Sequence, residues 1–410
     1  MLAKNPFLQS SARPFVAVAH GQGAYANTRA ALQALDLTPV AGKRILIKPN
    51  AGRVALPGEG ITTHPEVAAA TIDALRAAGA EVAIGESPIT GVDATEAFEA
   101  TGIATVARQR DCPLIDLDRR PPVDVALGEG QVLHRIKVCA EVLEHDLVVS
   151  VPVMKMHMHT GVTLSVKNMK GCLWRRSKVK LHMLPAVEGD ANKPINIAIA
   201  DMASALRPHL AIIDGTVGME GLGPSAGDPK TVDIVVAGAD TFAADAVACR
   251  LMGTSAEAVP HLALGAARGY GVIDLDAIDV TPDNWHDWAV TFAGPPANLS
   301  IQFPNVTVLD NNSCSACQST VLLFLKRYRD QLFDYFPDME HLTLAIGKGH
   351  QELPEQTLCV GNCTARPKDQ RPFVKGCPPV ASEILRVLTG KPSIDTKDGR
   401  SPQADQTDAS

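Results

Sequence analysis

Residues 44–48 read Arg-Ile-Leu-Ile-Lys, residues 66–78 read Glu-Val-Ala-Ala-Ala-Thr-Ile-Asp-Ala-Leu-Arg-Ala-Ala, and residues 81–85 read Glu-Val-Ala-Ile-Gly. The outer two are short apolar runs suited to strands. The middle one is rich in helix formers. Thr63 or His64 can cap it, Pro65 suits its first position, and Gly79 follows its end. Strand, helix and strand in this order predict a βαβ unit and hence an α/β fold with a largely parallel sheet.

The pattern continues outward. Residues 15–19, 113–117, 132–138, 147–152, 210–213 and 234–237 read as strands. Residues 28–35, 93–101, 195–206, 243–252 and 260–269 read as helices, with Asp240 or Thr241 capping the fourth of these. Aromatics are only 4% of the chain, and Ala, Val and Leu dominate, which suits buried parallel strands under alanine-rich helices. Residues 1–300 are expected to form this α/β domain, with a polar, Pro-containing connection at 284–296. Residues 301–392 alternate strands (306–309, 342–346, 357–360) with helices (319–328, 380–388), a smaller cysteine-rich α/β cluster domain. Residues 393–410 are polar and expected to be disordered.

The chain has 410 residues, enough for two or three domains. A net charge of -7 argues against a broad nucleic-acid surface. No apolar run reaches a membrane span, and residues 1–15 carry no apolar signal-peptide core. A cytoplasmic protein with reduced thiols is the expectation.

Five of the nine cysteines fall between residues 314 and 377. Cys314 and Cys317 form a C-x-x-C, Cys359 and Cys363 flank Val-Gly-Asn, and Cys377 lies in Gly-Cys-Pro-Pro. A C-x-x-C turn lets two thiolates reach one metal centre, and glycines let backbone approach it. A [4Fe–4S] cluster on Cys314, Cys317, Cys363 and Cys377 is the reading favoured here, with Cys359 as the alternative ligand. A Cys₄ zinc site, or disulfides or unrelated buried thiols, stays open. Cys112, Cys139, Cys172 and Cys249 read as buried packing residues.

The densest polar run in the first 300 residues follows the apolar strand at 147–152. It holds Lys155, His157, His159, Thr160, Thr163, Ser165, Lys167, Asn168 and Lys170. Alternation would put Lys155, His157 and His159 on one strand face, and residues 161–171 read as a loop leading into a helix. Cations with hydroxyls and an amide suit a carboxylate or phosphate. His157 can act as general acid or base. Lys48 and Asn50 sit at the carboxyl end of a strand, where open α/β sheets bind ligands. Glu86-Ser87-Pro88 ends the next strand in the same way. Residues 215–227 contain five glycines and read as a loop able to cradle an anion, with Glu220 its best-placed acid; they lack a P-loop ending. Asp245 reads as a helix-dipole residue.

Lys48-Pro49-Asn50, then Thr163-Leu164-Ser165-Val166-Lys167-Asn168-Met169-Lys170-Gly171, then Asp214-Gly215 with Met219-Glu220-Gly221 and Gly223-Pro224, then Asp240 through Asp245 to Leu251-Met252-Gly253 occur in that order. Together they resemble the family called domain of unknown function 362, over about residues 40–280. The resemblance implies association with iron–sulfur domains and no assigned reaction. The late cysteines do not form a bacterial ferredoxin run.

The combined expectation is an oxidoreductase whose anion pocket faces one [4Fe–4S] cluster. Lys48, Asn50, Lys155 and Asn168 would bind a small anionic substrate; His157, Glu220 and Lys167 would be catalytic. An electron-transfer protein would be the partner. A non-redox isomerase, racemase or lyase with a structural cluster, or a non-enzymatic electron-transfer or assembly protein, is the alternative.

Overall fold

The computed structural model describes residues 1–8, 13–295, 303, 305–335, 339–364, 371–379 and 381–390. The expected disordered tail, 393–410, lies outside them. The chain divides into two compact units, Met1–Ala297 and Asn298–Ser410.

The larger unit contains strands β1 (Phe15–His20), β2 (Arg44–Pro49), β3 (Glu81–Glu86), β4 (Leu114–Asp116), β5 (Val123–Ala126), β6 (Arg135–Val138), β7 (Leu147–Val151), β8 (Val153–His157), β9 (Gly161–Thr163), β10 (Leu210–Glu220), β11 (Asp228–Gly238) and β12 (Asp279–Thr281). Among the described residues, the main sheet runs β12-β1-β11-β10-β7-β2-β3-β4, with β8 beside β10 and β9 beside β8. The contacts β10–β7–β2–β3–β4 and β1–β12 are parallel; β11 is antiparallel to β1 and β10. This is the mostly parallel α/β sheet that the alternating pattern implies.

The sheet is covered on both faces. One face packs Ile45, Ile47, Val82, Ile84 and Val149 against Val67, Ile72 and Leu75 of helix Pro65–Ala77. The other packs Ile213, Ile234 and Val236 against Phe242, Val247 and Leu251 of helix Thr241–Leu251. Burial of strands on both faces explains their nearly continuous apolar sequences. The caps are those the sequence indicates. His64 accepts from the Glu66 N–H ahead of Pro65, and Asp240 accepts from the Phe242 and Ala243 N–H groups.

Two readings need correction. The glycine-rich run 215–227 is a loop only in its second half, 221–227: β10 continues through Gly215 and Gly218 to Glu220 and pairs with β11, with a break in register between Gly215 and Val217. The two glycines within β10, Gly215 and Gly218, serve close packing. A Cβ at Gly218 would lie 2.8 Å from the Met154 carbonyl oxygen and 2.7 Å from the Phe292 ring. The stretch expected to be a loop at 161–171 begins instead with β9, which turns back on β8 through Gly161 at φ +76°.

The smaller unit has strands β13 (Val306–Asp310), β14 (Leu342–Ile346), β15 (Leu358–Val360) and β16 (Phe373–Val374), all parallel in that order. Helices Ser315–Tyr328 and Ala381–Thr389 complete it. Its core joins Val321, Phe324, Leu325, Leu344, Val360 and Ile384.

Candidate functional site

The segment from Val153 to Gly171 sets two buried lysines, Lys155 and Lys167, and the half-buried Lys170 in one row. Pro152 interrupts the strand between β7 and β8, since it has no N–H to donate; its carbonyl accepts from the Asp214 N–H at 2.8 Å. Lys155 on β8 lies opposite Thr163 on β9. One short helical turn later, the Lys167 ammonium donates to Thr163 Oγ1 at 2.9 Å. Lys170 follows at i+3 and its Nζ meets His182 Nε2.

Asp245 fixes this turn. Its buried carboxylate accepts from Ser165 N (2.8 Å), Ser165 Oγ (2.5 Å) and Val166 N (3.0 Å). The expected helix-dipole role is therefore secondary to that of a clamp on the Ser165–Asn168 turn. Burial raises its carboxyl to about 7 despite these donors.

The cations strain one another electrostatically. Lys155 is lowered to about 7 by burial first, then by Arg53 and Lys48. Lys170 is lowered to about 7 by burial, then by Lys178 and Arg53. Lys167 falls well below the ordinary lysine range through burial and the fields of Lys170, Lys155 and Arg53. Burial also lowers Arg53, to about 10, so it stays charged at neutral pH. It is half-buried, and its guanidinium makes no hydrogen bond or ion pair among the described residues. His157 and His182 are both held neutral by burial and these lysines. His157 Nδ1 accepts from the His159 N–H at 3.1 Å, so its proton sits on Nε2.

The remaining sequence candidates have other tasks. Lys48 is fully buried and donates to Pro49 O (2.7 Å), Glu86 Oε2 (2.9 Å) and Asn168 Oδ1 (3.2 Å), which occupies all three of its hydrogens. Asn168 returns its Nδ2 to Lys48 O and Ser150 Oγ, both at 3.0 Å. Lys48 and Asn168 thus brace the sheet end and keep no donor for a ligand. The packing is close: a Cβ on Gly171 would lie 2.5 Å from Lys48 Cε. Asn50 ties the backbone to Thr63, while its carboxamide makes no hydrogen bond among the described residues. Glu220 is outside the row. It pairs with Lys230 (2.8 Å), accepts from Ala293 N (2.9 Å), and its pKa is lowered chiefly by Lys230. His159 lies in the turn beyond β8 rather than on the strand, with its ring 5.9 Å from that of His157.

Arg53, Glu86 and His182 escaped the sequence reading as site residues. The only signal was the parallel between Glu86-Ser87-Pro88 and Lys48-Pro49-Asn50, two strand ends that prove to be ion-paired. A cavity of about 550 Å³ lies elsewhere, lined by Phe98, Leu114, Asp116 and Arg119 among others, and includes none of these lysines.

The depressed lysines give a signed pH dependence. The unfolded chain keeps lysine protons up to about 10.4, the folded chain releases two near 7, and stability of the ligand-free protein from these groups rises with pH across that window. Asp245 acts oppositely at lower pH: its contribution falls as pH rises from about 4 to about 7. The expected result is a urea midpoint higher at about pH 9 than at about pH 7. A lower midpoint would show that burial does not hold these lysines below the ordinary lysine range.

In the smaller unit, Cys314, Cys317, Cys363 and Cys377 act on one another. Hydrogen bonding by Cys317 lowers the Cys314 thiol to about 6, at the start of helix Ser315–Tyr328. Cys317 is raised by that bond, by burial, and by Cys314, Cys363 and Cys377. Gly361, at φ +92°, leaves room that a Cβ would take 3.1 Å from Cys317 Sγ. Asn362 holds the Cys377 loop: its N–H donates to Gly376 O (2.8 Å) and its Oδ1 accepts from Gly376 N (2.9 Å). Cys359 instead is fully buried, packs with Ala345 and Leu353, and is raised by burial. No disulfide links any of the nine cysteines, and among the described residues no group of three or more His, Cys, Asp or Glu side chains is placed to hold a metal ion. The four thiols lie within electrostatic range of one another, a donor set whose number and chemistry suit a cluster. Among the described residues, no helix is long and apolar enough to cross a membrane.

The chain is similar to a thylakoid-associated protein of Synechocystis sp., with 30% identity over 223 residues, covering 54% of this chain and 67% of that protein. A solved structure, the lactate racemase apoprotein from Thermoanaerobacterium thermosaccharolyticum, aligns with a TM-score of 0.40 and 11% identity, covering 80% of this chain and 68% of the other. The family described as Domain of unknown function (DUF362) matches residues 45–250, half of the chain, and contains the row from Lys155 to Lys170 together with Arg53, Glu86 and Asp245. The chain belongs to the DUF362 family.

Proposed function

We propose that the chain is an iron–sulfur oxidoreductase that binds a small anionic substrate, a carboxylate or phosphate, in its larger unit and moves a proton on it. The observation that carries this reading is the row of buried Lys155 and Lys167 with half-buried Lys170 and Arg53, cations among which Glu86 is already engaged by Lys48. Buried like charges are costly, and a bound anion relieves them. Arg53 and Lys167 would hold the anion. Lys155 and Lys170, each near 7, can take up or release a proton at neutral pH. His157 would offer its Nε2–H as a hydrogen-bond donor. Cys314, Cys317, Cys363 and Cys377 would hold one [4Fe–4S] cluster, which when bound supplies one-electron chemistry, with an electron-transfer protein as partner.

A non-redox isomerase, racemase or lyase is the second reading. Its support is the same pair of near-neutral lysines flanking Lys167, which suits proton removal and return without electron transfer. Turnover unaffected by the redox state of the cluster would favour it.

Two measurements test the proposal. Anaerobic purification followed by iron, sulfide and zinc analysis and by EPR of the reduced protein should show iron with sulfide; zinc without sulfide would remove the redox part. Lys167→Ala should weaken binding of a carboxylate or phosphate panel sharply, and unchanged binding would remove the substrate part. For the ligand set, Cys377→Ser should lose the cluster and its EPR signal while Cys359→Ser keeps both. Full iron in the Cys377 variant would show the set to be wrong.

A further inference from the structure

We propose that the ligand of the cationic row carries an anionic group at each end of a short skeleton, and that Arg53 clamps one of them. The inference rests on the anion-site reading above and narrows it.

The row has length. Lys155 faces Thr163 across the β8–β9 pair, Thr163 accepts from Lys167, and Lys170 stands one helical turn further on. Cross-strand neighbours are about 4.5–5.5 Å apart at Cβ and i,i+3 neighbours about 5–6 Å. Lys155 and Lys170 are therefore separated ends, with Lys167 between them. Their anchors differ too. Lys155 Nζ is held by Ile61 O (2.7 Å) and Pro224 O (3.4 Å), whereas Lys170 is held by His182.

The charge count points the same way. Among the described residues, no carboxylate offsets Lys167 or Lys170, and Glu86 near Lys155 is already paired with Lys48. One carboxylate has two oxygens and fills one guanidinium fork. It would leave the far end of the row uncompensated. A compact anion such as phosphate has the same shortfall in reach.

Arg53 is suited to the clamp because its fork is unspent. Lys155 and Lys167 each have an internal acceptor, while Arg53 has none among the described residues. It lies in the loop after β2, at the carboxyl end of a parallel strand.

The test is calorimetric titration of the full chain, prepared anaerobically, with acetate, propanoate, malonate, succinate, glutarate and inorganic phosphate. One dicarboxylate should bind at least about tenfold more tightly than propanoate and than phosphate. Arg53→Ala should erase that margin, and Arg53→Lys should restore only part of it, since it keeps the charge without the fork. Thermal melts of both variants establish that they are folded. Propanoate or phosphate binding as tightly as every dicarboxylate would overturn this inference and leave the anion site standing, as would an unchanged margin in Arg53→Ala. Absence of binding by the whole panel would overturn the anion-site reading as well.

Discussion

Replacing Lys167 by methionine is expected to make the ligand-free protein more stable and to remove most of its affinity for anions. The two effects have one cause. Lys167 is almost fully buried, its ammonium has one acceptor among the described residues, Thr163 Oγ1, and Lys170, Lys155 and Arg53 all oppose its charge. Methionine keeps the aliphatic stem and removes the charge. Replacing unfavourably buried ions by apolar side chains of similar size gains about 1–4 kcal/mol, with roughly 2–4 °C in Tm for each kcal/mol in a chain of this class. Losing one partner of a desolvated ligand contact costs about 2–5 kcal/mol, a loss of roughly 30-fold to several thousandfold in affinity. Calorimetry and a thermal melt on the same preparation check both. A residue kept for the fold would give destabilisation instead, so the sign of the Tm change is decisive.

Glu86→Gln is expected to do the reverse, destabilising the larger unit by about 3–5 kcal/mol. Glu86 Oε2 accepts from Lys48 Nζ and Ala51 N, both at 2.9 Å, and Oε1 accepts from Ser87 N at 2.9 Å. Both oxygens are therefore acceptors for fixed donors. A carboxamide must turn its NH₂ toward one set of them, which leaves donors facing donors and an ammonium without its counter-ion. Lys48 and Glu86 span the ends of β2 and β3, so the damage falls on the sheet itself. Chemical denaturation measures it. The double variant Lys48→Met with Glu86→Leu should recover most of the loss, because it removes both charges together. Additive losses in the double variant would mean that the two groups do not act as a pair.

These two positions show what a sequence can and cannot disclose. The strands, their helices and the caps at His64 and Asp240 were legible because each depends on local pattern: apolar runs, a polar cap, proline at a first turn. The cationic run was legible too, since Lys155, Lys167 and Lys170 are crowded into one short segment. Their division of labour was not. Lys48 and Lys167 look alike in sequence, yet one is saturated by Glu86, Pro49 and Asn168 and the other is surrounded by like charge. Only tertiary structure distinguishes them. Arg53 sits in a stretch of Gly and Pro that looks like plain loop, and its importance lies in partners it does not have. The glycines of β10 misled in the opposite direction. Gly218 is small because Phe292 and Met154 crowd it, a reason invisible to a local reading that associates glycine with loops.

The central claim is that the larger unit holds uncompensated lysines awaiting an anion. Its most direct measurement is an NMR titration of the lysine ¹³Cε signals of the full chain. Two signals, assigned through Lys155→Arg and Lys170→Arg variants, should titrate near pH 7 in the free protein and move upward when a binding anion is added. Lysines that all titrate near about 10.4, with or without anion, would contradict the account.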